Sequence, residues 1–153
     1  MQHWLFKSEP ATFSIDDLAA ATGKSTCWDG VRNYQVRNFM RDVMQPGDLG
    51  FFYHSSCAVP GITGIVSITS NAYTDNTQFD PGHVHYDADS KPESPRWLMV
   101  DVKLKRKLKR IITLDELREH HHRLKELLIL KRGNRLSVTP LSSDEWNYIL
   151  GLE

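Results

Sequence analysis

An α+β domain built on a curled sheet or small barrel is what this sequence predicts. Strand-like segments outnumber and outlength helical ones through the middle of the chain, and their order is not a regular β-α-β alternation. The 153 residues, 40% hydrophobic and 25% charged, fit one domain over residues 1–153 with one core, since domains commonly hold about 100–150 residues.

The elements follow in order. His3–Lys7 (HWLFK) reads as a short strand closed by Ser8, Glu9 and Pro10. Ser14 to Thr22 predicts a short helix, with Ser14 as N-cap, Asp16 and Asp17 complementing its dipole, and Gly23 ending it. From Asn33 to Met44, the residues Val36, Phe39, Met40, Val43 and Met44 fall at helical spacing on one face. Pro46-Gly47-Asp48 then turns the chain. Leu49–His54 is a buried strand by aromatic content and brevity, and Gly61–Tyr73 a longer one rich in Ile, Val and Thr. Residues 74–95 hold Pro81, Pro92 and Pro95 among many Asp and Ser, which predicts a long irregular loop. Loops of that length inside a domain are often functional. Trp97–Leu108 alternates, with Leu98, Val100, Val102 and Leu104 on one face and Asp101, Lys103 and Lys105 on the other. Thr113–Glu116 is a capping box that opens a helix. A second short helix over Leu124–Leu130 ends at Gly133, and Arg135–Val138 reads as the last strand. Ser142 and Glu145 form another capping box, opening a terminal helix that buries Trp146, Ile149 and Leu150.

Composition excludes several classes. No apolar run approaches the roughly 20 residues that span a bilayer. The first ten residues lack the basic and apolar regions of a secretory signal. Cys27 and Cys57 are too few for a disulfide scaffold and lack zinc-ligand spacing, so a reducing, cytoplasmic location is expected, with no metal or cofactor. Net charge is zero, which argues against a strong, sequence-blind polyanion binder. The charge is uneven, however: residues 103–110 (KLKRKLKR) carry six basic groups, and 75–93 carry five acidic groups against Lys91 alone. Alternation puts Lys103, Lys105, Lys107 and Lys109 on one face, where at most about four could track a phosphate backbone together. The bland alternative is a lysine-rich strand edge that discourages aggregation.

Residues 28–38, WDGVRNYQVRN, are the most informative stretch. Trp28 stands beside a carboxylate and a turn at Gly30, followed by Arg32, Asn33, Tyr34, Gln35, Arg37 and Asn38. An aromatic face stacks on a planar ring, and amide and guanidinium groups read ring edges or phosphates. The same residues also suit a helix entry with Trp28 in the core.

Taken with KSEP (7–10), GDLGFFYHS (47–55), PRWLMVDV (95–102) and RLSVTPLSSDEW (135–146), this stretch resembles the EVE domain family over essentially the whole chain. The resemblance implies a PUA-like mixed-strand pseudo-barrel with flanking short helices. It also implies a non-catalytic module that binds nucleic acid, RNA or DNA, carrying a modified base, modified cytosine foremost, in an aromatic pocket. On that pattern Trp28 is the stacking wall, and Lys7, Ser8 and Glu9 read the base edge. Asp29, Arg32 and Asn33 lie beside the wall, and Tyr53 and His54 end the strand forming the floor. Phe79, Tyr73 or Tyr86 from the long loop closes the other side.

Rival readings attach to several of these residues. Lys7 and Glu9 lining one pocket can hydrolyse an acylated or modified cytidine, as in the related ASCH domains, if burial makes the lysine neutral. One residue separates them, so in a regular strand both face one side and pair, which opposes that role. His120-His121-His122 splay about 100° apart on a helix and cannot converge on one ion. Cys57 near His54 has no flanking oxyanion motif, and Gly61–Gly64 lacks the ending of a phosphate loop. A protein-interaction module without a base pocket is the remaining alternative.

Overall fold

The computed structural model describes residues 1–153. Its strands are β1 (His3–Ser8), β2 (Ser25–Cys27), β3 (Leu49–His54), β4 (Gly61–Ile68), β5 (Tyr73–Thr74), β6 (Leu98–Met99), β7 (Asp101–Thr113) and β8 (Val138–Leu141). The helices are α1 (Ile15–Ala20), α2 (Tyr34–Asp42), α3 (Leu114–Glu119) and α4 (Ser143–Leu150). Six strands make one sheet in the order β2-β7-β4-β3-β1-β8, and β5 pairs with β6 apart from it. Strand β1 runs parallel to β3 and antiparallel to β8, so the sheet is mixed. No helix is long and apolar enough to cross a membrane.

Period-two alternation divides the sheet's side chains between two cores. Phe6, Phe52 and Val66 pack with Val36 and Met40 of α2 on one face. Leu5, Phe51 and Tyr53 pack with Leu117 of α3 and Trp146 and Ile149 of α4 on the other. Phe51 stacks on Trp146 with ring centroids 3.9 Å apart. Both helix entries read from capping boxes form: Thr113 caps α3, and Ser142 and Glu145 cap α4 reciprocally. Ser14 caps α1, with Asp17 returning the bond to its backbone.

Several elements differ from their expected bounds. The 61–73 strand breaks after Ile68, because Ser70 turns the chain and its hydroxyl accepts the Asp101 N–H. The last strand lies at Val138–Leu141 and contains Pro140. Proline fits there because β8 is an edge strand and needs no inward N–H at that position. Residues 124–130 form turns and one 3-10 turn at Leu128–Leu130, which has no side-chain cap to start a helix. Strand β7 runs on to Thr113, but its register against β4 shifts twice. Those bulges interrupt the strict alternation on which the single lysine face was expected.

Candidate nucleic-acid interface

A cavity of about 390 Å³ opens where β1 ends. Strand β1 supplies Lys7 and Ser8, the following turn Glu9, Thr12 and Phe13, and β2 with its continuation Thr26, Cys27, Trp28, Asp29, Gly30 and Val31. Three strands separate β2 from β1 in the sheet, yet both line this one space. The sheet therefore curls.

Trp28 forms the aromatic wall. Its N–H donates to the Val100 carbonyl at 2.7 Å, which fixes the backbone against the β6–β7 junction. Its half-buried ring meets Phe6 edge-on at 5.1 Å and 68°, and Phe52 at 5.7 Å and 88°. Each such edge contact contributes about 0.5–1.5 kcal/mol beyond area burial, so the indole is braced from behind. The ring belongs to the core on one side and to the cavity on the other.

The polar lining is specific about who donates. The Ser8 hydroxyl gives its proton to the Phe13 carbonyl at 2.6 Å, so toward the cavity Ser8 can only accept. Lys7 is held by its N–H on the Ser137 carbonyl at 2.8 Å. Its ammonium has no ion-pair partner, and burial alone pushes its pKa down. The expected Lys7–Glu9 pair is absent. Strand β1 ends at Ser8, and the Glu9 carbonyl accepts the N–H groups of Thr12 and Phe13, each at 2.9 Å. The chain turns at Glu9, and the alternation that would align the two side chains stops. Burial, then the neighbouring Asp29 carboxylate, push the Cys27 thiol up, so it stays protonated at neutral pH.

The fourth wall comes from the long loop and is not the aromatic expected. His85 lines the cavity, whereas Phe79 ends a 3-10 turn (Asn76–Phe79) away from it. Tyr73 donates to Asp101 at 2.5 Å, and Tyr86 points to solvent. The His85 ring lies on Gly30, where a Cβ would fall 2.8 Å from both Cδ2 and Cε1, and Gly30 has φ of +78°. Only glycine suits both demands.

Asp75, 0% exposed, straps this loop to the Trp28 turn. It accepts the Gly30 N–H at 2.9 Å, an Arg32 Nη1–H at 3.1 Å and the Thr77 hydroxyl at 2.5 Å. Arg32 also donates twice to the His85 carbonyl, at 3.0 and 2.6 Å. Behind it, buried Gln78 bonds the carbonyls of Asp75 and Trp97, and its own oxygen accepts from Ser90 and the Trp97 N–H. Burial alone would raise the Asp75 carboxyl, but the bonds from Thr77, Gly30 and Arg32 outweigh it and hold its pKa low. A carboxylate depressed below its unfolded value of about 3.9 stabilises fully above that pH and loses the contribution as pH falls through the folded value. Acidification below about pH 4 should therefore loosen the strap, read as faster amide exchange at 75–90 relative to β3. Equal acid sensitivity of loop and β3 would show the carboxylate is not what holds the loop.

Four other expected site residues face elsewhere. Arg32 is the strap just described. Asn33 caps α2, accepting the Val36 N–H at 3.1 Å. Tyr53 lies in the opposite core, its hydroxyl pKa raised to about 12 by burial, because Phe52 and not Tyr53 has the phase that faces Trp28. His54 Nε2 accepts the Ile15 N–H at 3.1 Å and so seats α1. On β7, Lys107 pairs with Asp16, Arg106 with Glu153 at 2.8 Å and Arg110 with Glu116 at 2.6 Å. Lys103, Lys105 and Lys109 remain exposed without a carboxylate partner. His120 bonds the Tyr148 hydroxyl at 2.6 Å, and no group of three His, Cys, Asp or Glu side chains is placed to hold a metal.

A curled mixed sheet with short flanking helices and an aromatic-backed cavity at its rim defines a PUA-like pseudo-barrel. The chain belongs to the EVE domain family, whose model matches residues 2–152. It is 47% identical over 167 residues to thymocyte nuclear protein 1 of Homo sapiens, covering 99% of this chain and 73% of that protein. The Danio rerio counterpart is 48% identical over 166 residues, covering 98% and 71%. Among solved structures, the human THYN1 protein in complex with 5-methylcytosine-containing DNA superposes with a TM-score of 0.95. Sequence identity there is 45%, over 99% of this chain and 97% of that one. A Pseudomonas putida protein superposes at 0.92, with 44% identity and 98% of each chain covered.

Proposed function

We propose that residues 1–153 form one EVE domain that binds DNA bearing a modified cytosine, with the base turned out of the helix and laid against Trp28. The braced, half-open indole over a polar-lined cavity carries this reading, and the DNA-bound human structure of the same fold supports it. A flipped base is the form required, because a duplex hides the edges such a cavity reads. The ligand-binding set is Lys7, Ser8, Glu9, Trp28 and Asp29, joined by His85. Cytosine's exocyclic amine donates toward Ser8, which can only accept, and its carbonyl oxygen and ring nitrogen accept from the free Lys7 ammonium. Phosphate contacts fall to Lys103, Lys105 and Lys109, with Lys107 joining only when released from Asp16. We place the protein in the cytoplasm, where a reducing environment keeps Cys27 and Cys57 free.

Hydrolysis of a modified cytidine is not part of this function. Lys7 is unpaired and depressed, as a base would need, but the Cys27 thiol in the same cavity is held protonated by burial and by Asp29, and two other candidates are engaged elsewhere. The Ser8 proton is committed to Phe13, and His54 is committed to Ile15. Acylated cytidine incubated with the protein should be recovered unchanged. Multiple-turnover release of cytidine that Lys7→Ala eliminates would overturn the reading.

Binding of labelled oligonucleotides with cytosine or 5-methylcytosine tests the proposal directly. Affinity should favour the modified base and fall with salt, with a log–log slope of about −3 for three phosphate contacts. Replacing Lys103, Lys105 and Lys109 by Gln should flatten that slope. An unchanged slope would assign the stripe to solubility.

A further inference from the structure

The loop that supplies His85 carries a second feature that the cavity does not use. His83 to Tyr86 form a tight turn, the Tyr86 N–H donating to the His83 carbonyl at 3.1 Å. Its two central residues are Val84 and His85. His85 points inward to the cavity, and Val84 points out, 88% exposed, the most exposed large apolar side chain in the protein. Tyr86 beside it is 42% exposed. Turn tips usually carry Gly, Asn, Asp, Ser or Pro, so a bare valine there needs a reason.

We propose that Val84, with Tyr86 alongside, is the plug that enters the gap left in a duplex when the modified base swings into the cavity. The inference rests on the base-binding reading above. Consecutive Cα atoms are about 3.8 Å apart and stacked bases about 3.4 Å, so a tip one residue from the cavity wall reaches the neighbouring level of the stack. Apolar wedges inserted at base steps are a known means of holding DNA open. A wedge must also be stiff, and this one is. Arg32 grips the His85 carbonyl with two bonds, the His85 N–H donates to His83 Nδ1 at 3.0 Å, and Gly30 backs the His85 ring.

The loop's acidic residues would seem to repel a phosphate backbone. Two of the five are paired: Asp75 with Arg32, and Asp87 with the Trp97 indole at 2.7 Å and Arg96 at 3.8 Å. The tip itself, Val84 and Tyr86, carries no charge.

The test compares one duplex and one single strand of the same sequence, each with a single 5-methylcytosine. Val84→Asn suits the turn but cannot fill the gap. It should weaken duplex binding about tenfold, the worth of one buried aliphatic side chain, and leave single-strand binding unchanged. Val84→Leu, which restores a wedge, should bind duplex as the parent does. Equal duplex affinity for the parent and Val84→Asn overturns the plug and leaves the tip to a protein partner. Equal losses on duplex and strand overturn it too, making Val84 part of the cavity. A parent that binds the strand but not the duplex sinks the plug alone. A parent that binds neither sinks the base-binding reading along with it.

Discussion

Trp28→Ala will abolish the preference for 5-methylcytosine and lower affinity on the order of 10–100-fold, the worth of one base–aromatic stack at about 1–3 kcal/mol. The indole is the largest flat ring lining the cavity, which Phe13 and His85 also border, and Phe6 and Phe52 behind it cannot replace it because they present to it at steep angles. The same substitution removes two edge contacts from the core, so melting temperature will fall as well. Trp28→Phe separates the two effects. It keeps a flat ring and most of the packing, and should retain a measurable part of the selectivity. Binding is measured well below each variant's melting transition. A folded Trp28→Ala protein that still discriminates methylated from plain cytosine would remove the stacking role.

The largest effect on stability is expected at Asp75. Asp75→Ala deletes the acceptor shared by Gly30, Arg32 and Thr77 and leaves a guanidinium without its buried partner. Removing one member of a buried pair costs about 3–5 kcal/mol, and the 23% exposure of the Arg32 side chain puts this case at the lower end. At about 2–4 °C per kcal/mol for a chain of this size, melting should drop on the order of 10 °C. Base binding should weaken in parallel, since His85 is held through the same guanidinium. Asp75→Asn, which keeps one acceptor oxygen, should fall between. A normal melting temperature with normal affinity for Asp75→Ala would show that the loop is held by Gln78 and Ser90 without help.

Much of this was readable beforehand because it depends on local pattern. Trp28 in its polar stretch and the KSEP block lead to five side chains that do share the cavity: Lys7, Ser8, Glu9, Trp28 and Asp29. Helix caps at Ser14, Thr113 and Ser142 follow from residue type and spacing. The failures are of phase and distance. A strand of six residues names its aromatics but not which face each takes, so Tyr53 stood in for Phe52. Strand β2 has three residues and no apolar alternation to betray it. The bulges of β7 arise from pairing with β4 and leave no local mark. Asp75 and Gln78 sit in a loop whose composition suggests solvent, yet both are buried, because partners far along the chain satisfy them. His85 was missed for the same reason: Gly30 calls for it across 55 positions of chain.

Strand β1 is made before the domain's other strands and is the strand that needs the last one. Until Val138–Leu141 is out, Leu5 and Phe6 have no antiparallel neighbour, and Lys7 lacks the Ser137 carbonyl that fixes it. The half-made domain therefore displays a bare, apolar strand edge until β8 is made. Nascent chains halted before residue 137 should be captured by chaperones and show no affinity for modified bases. A circular permutant that begins at a loop tip such as Gly82 would join the two strands early and shorten that exposure.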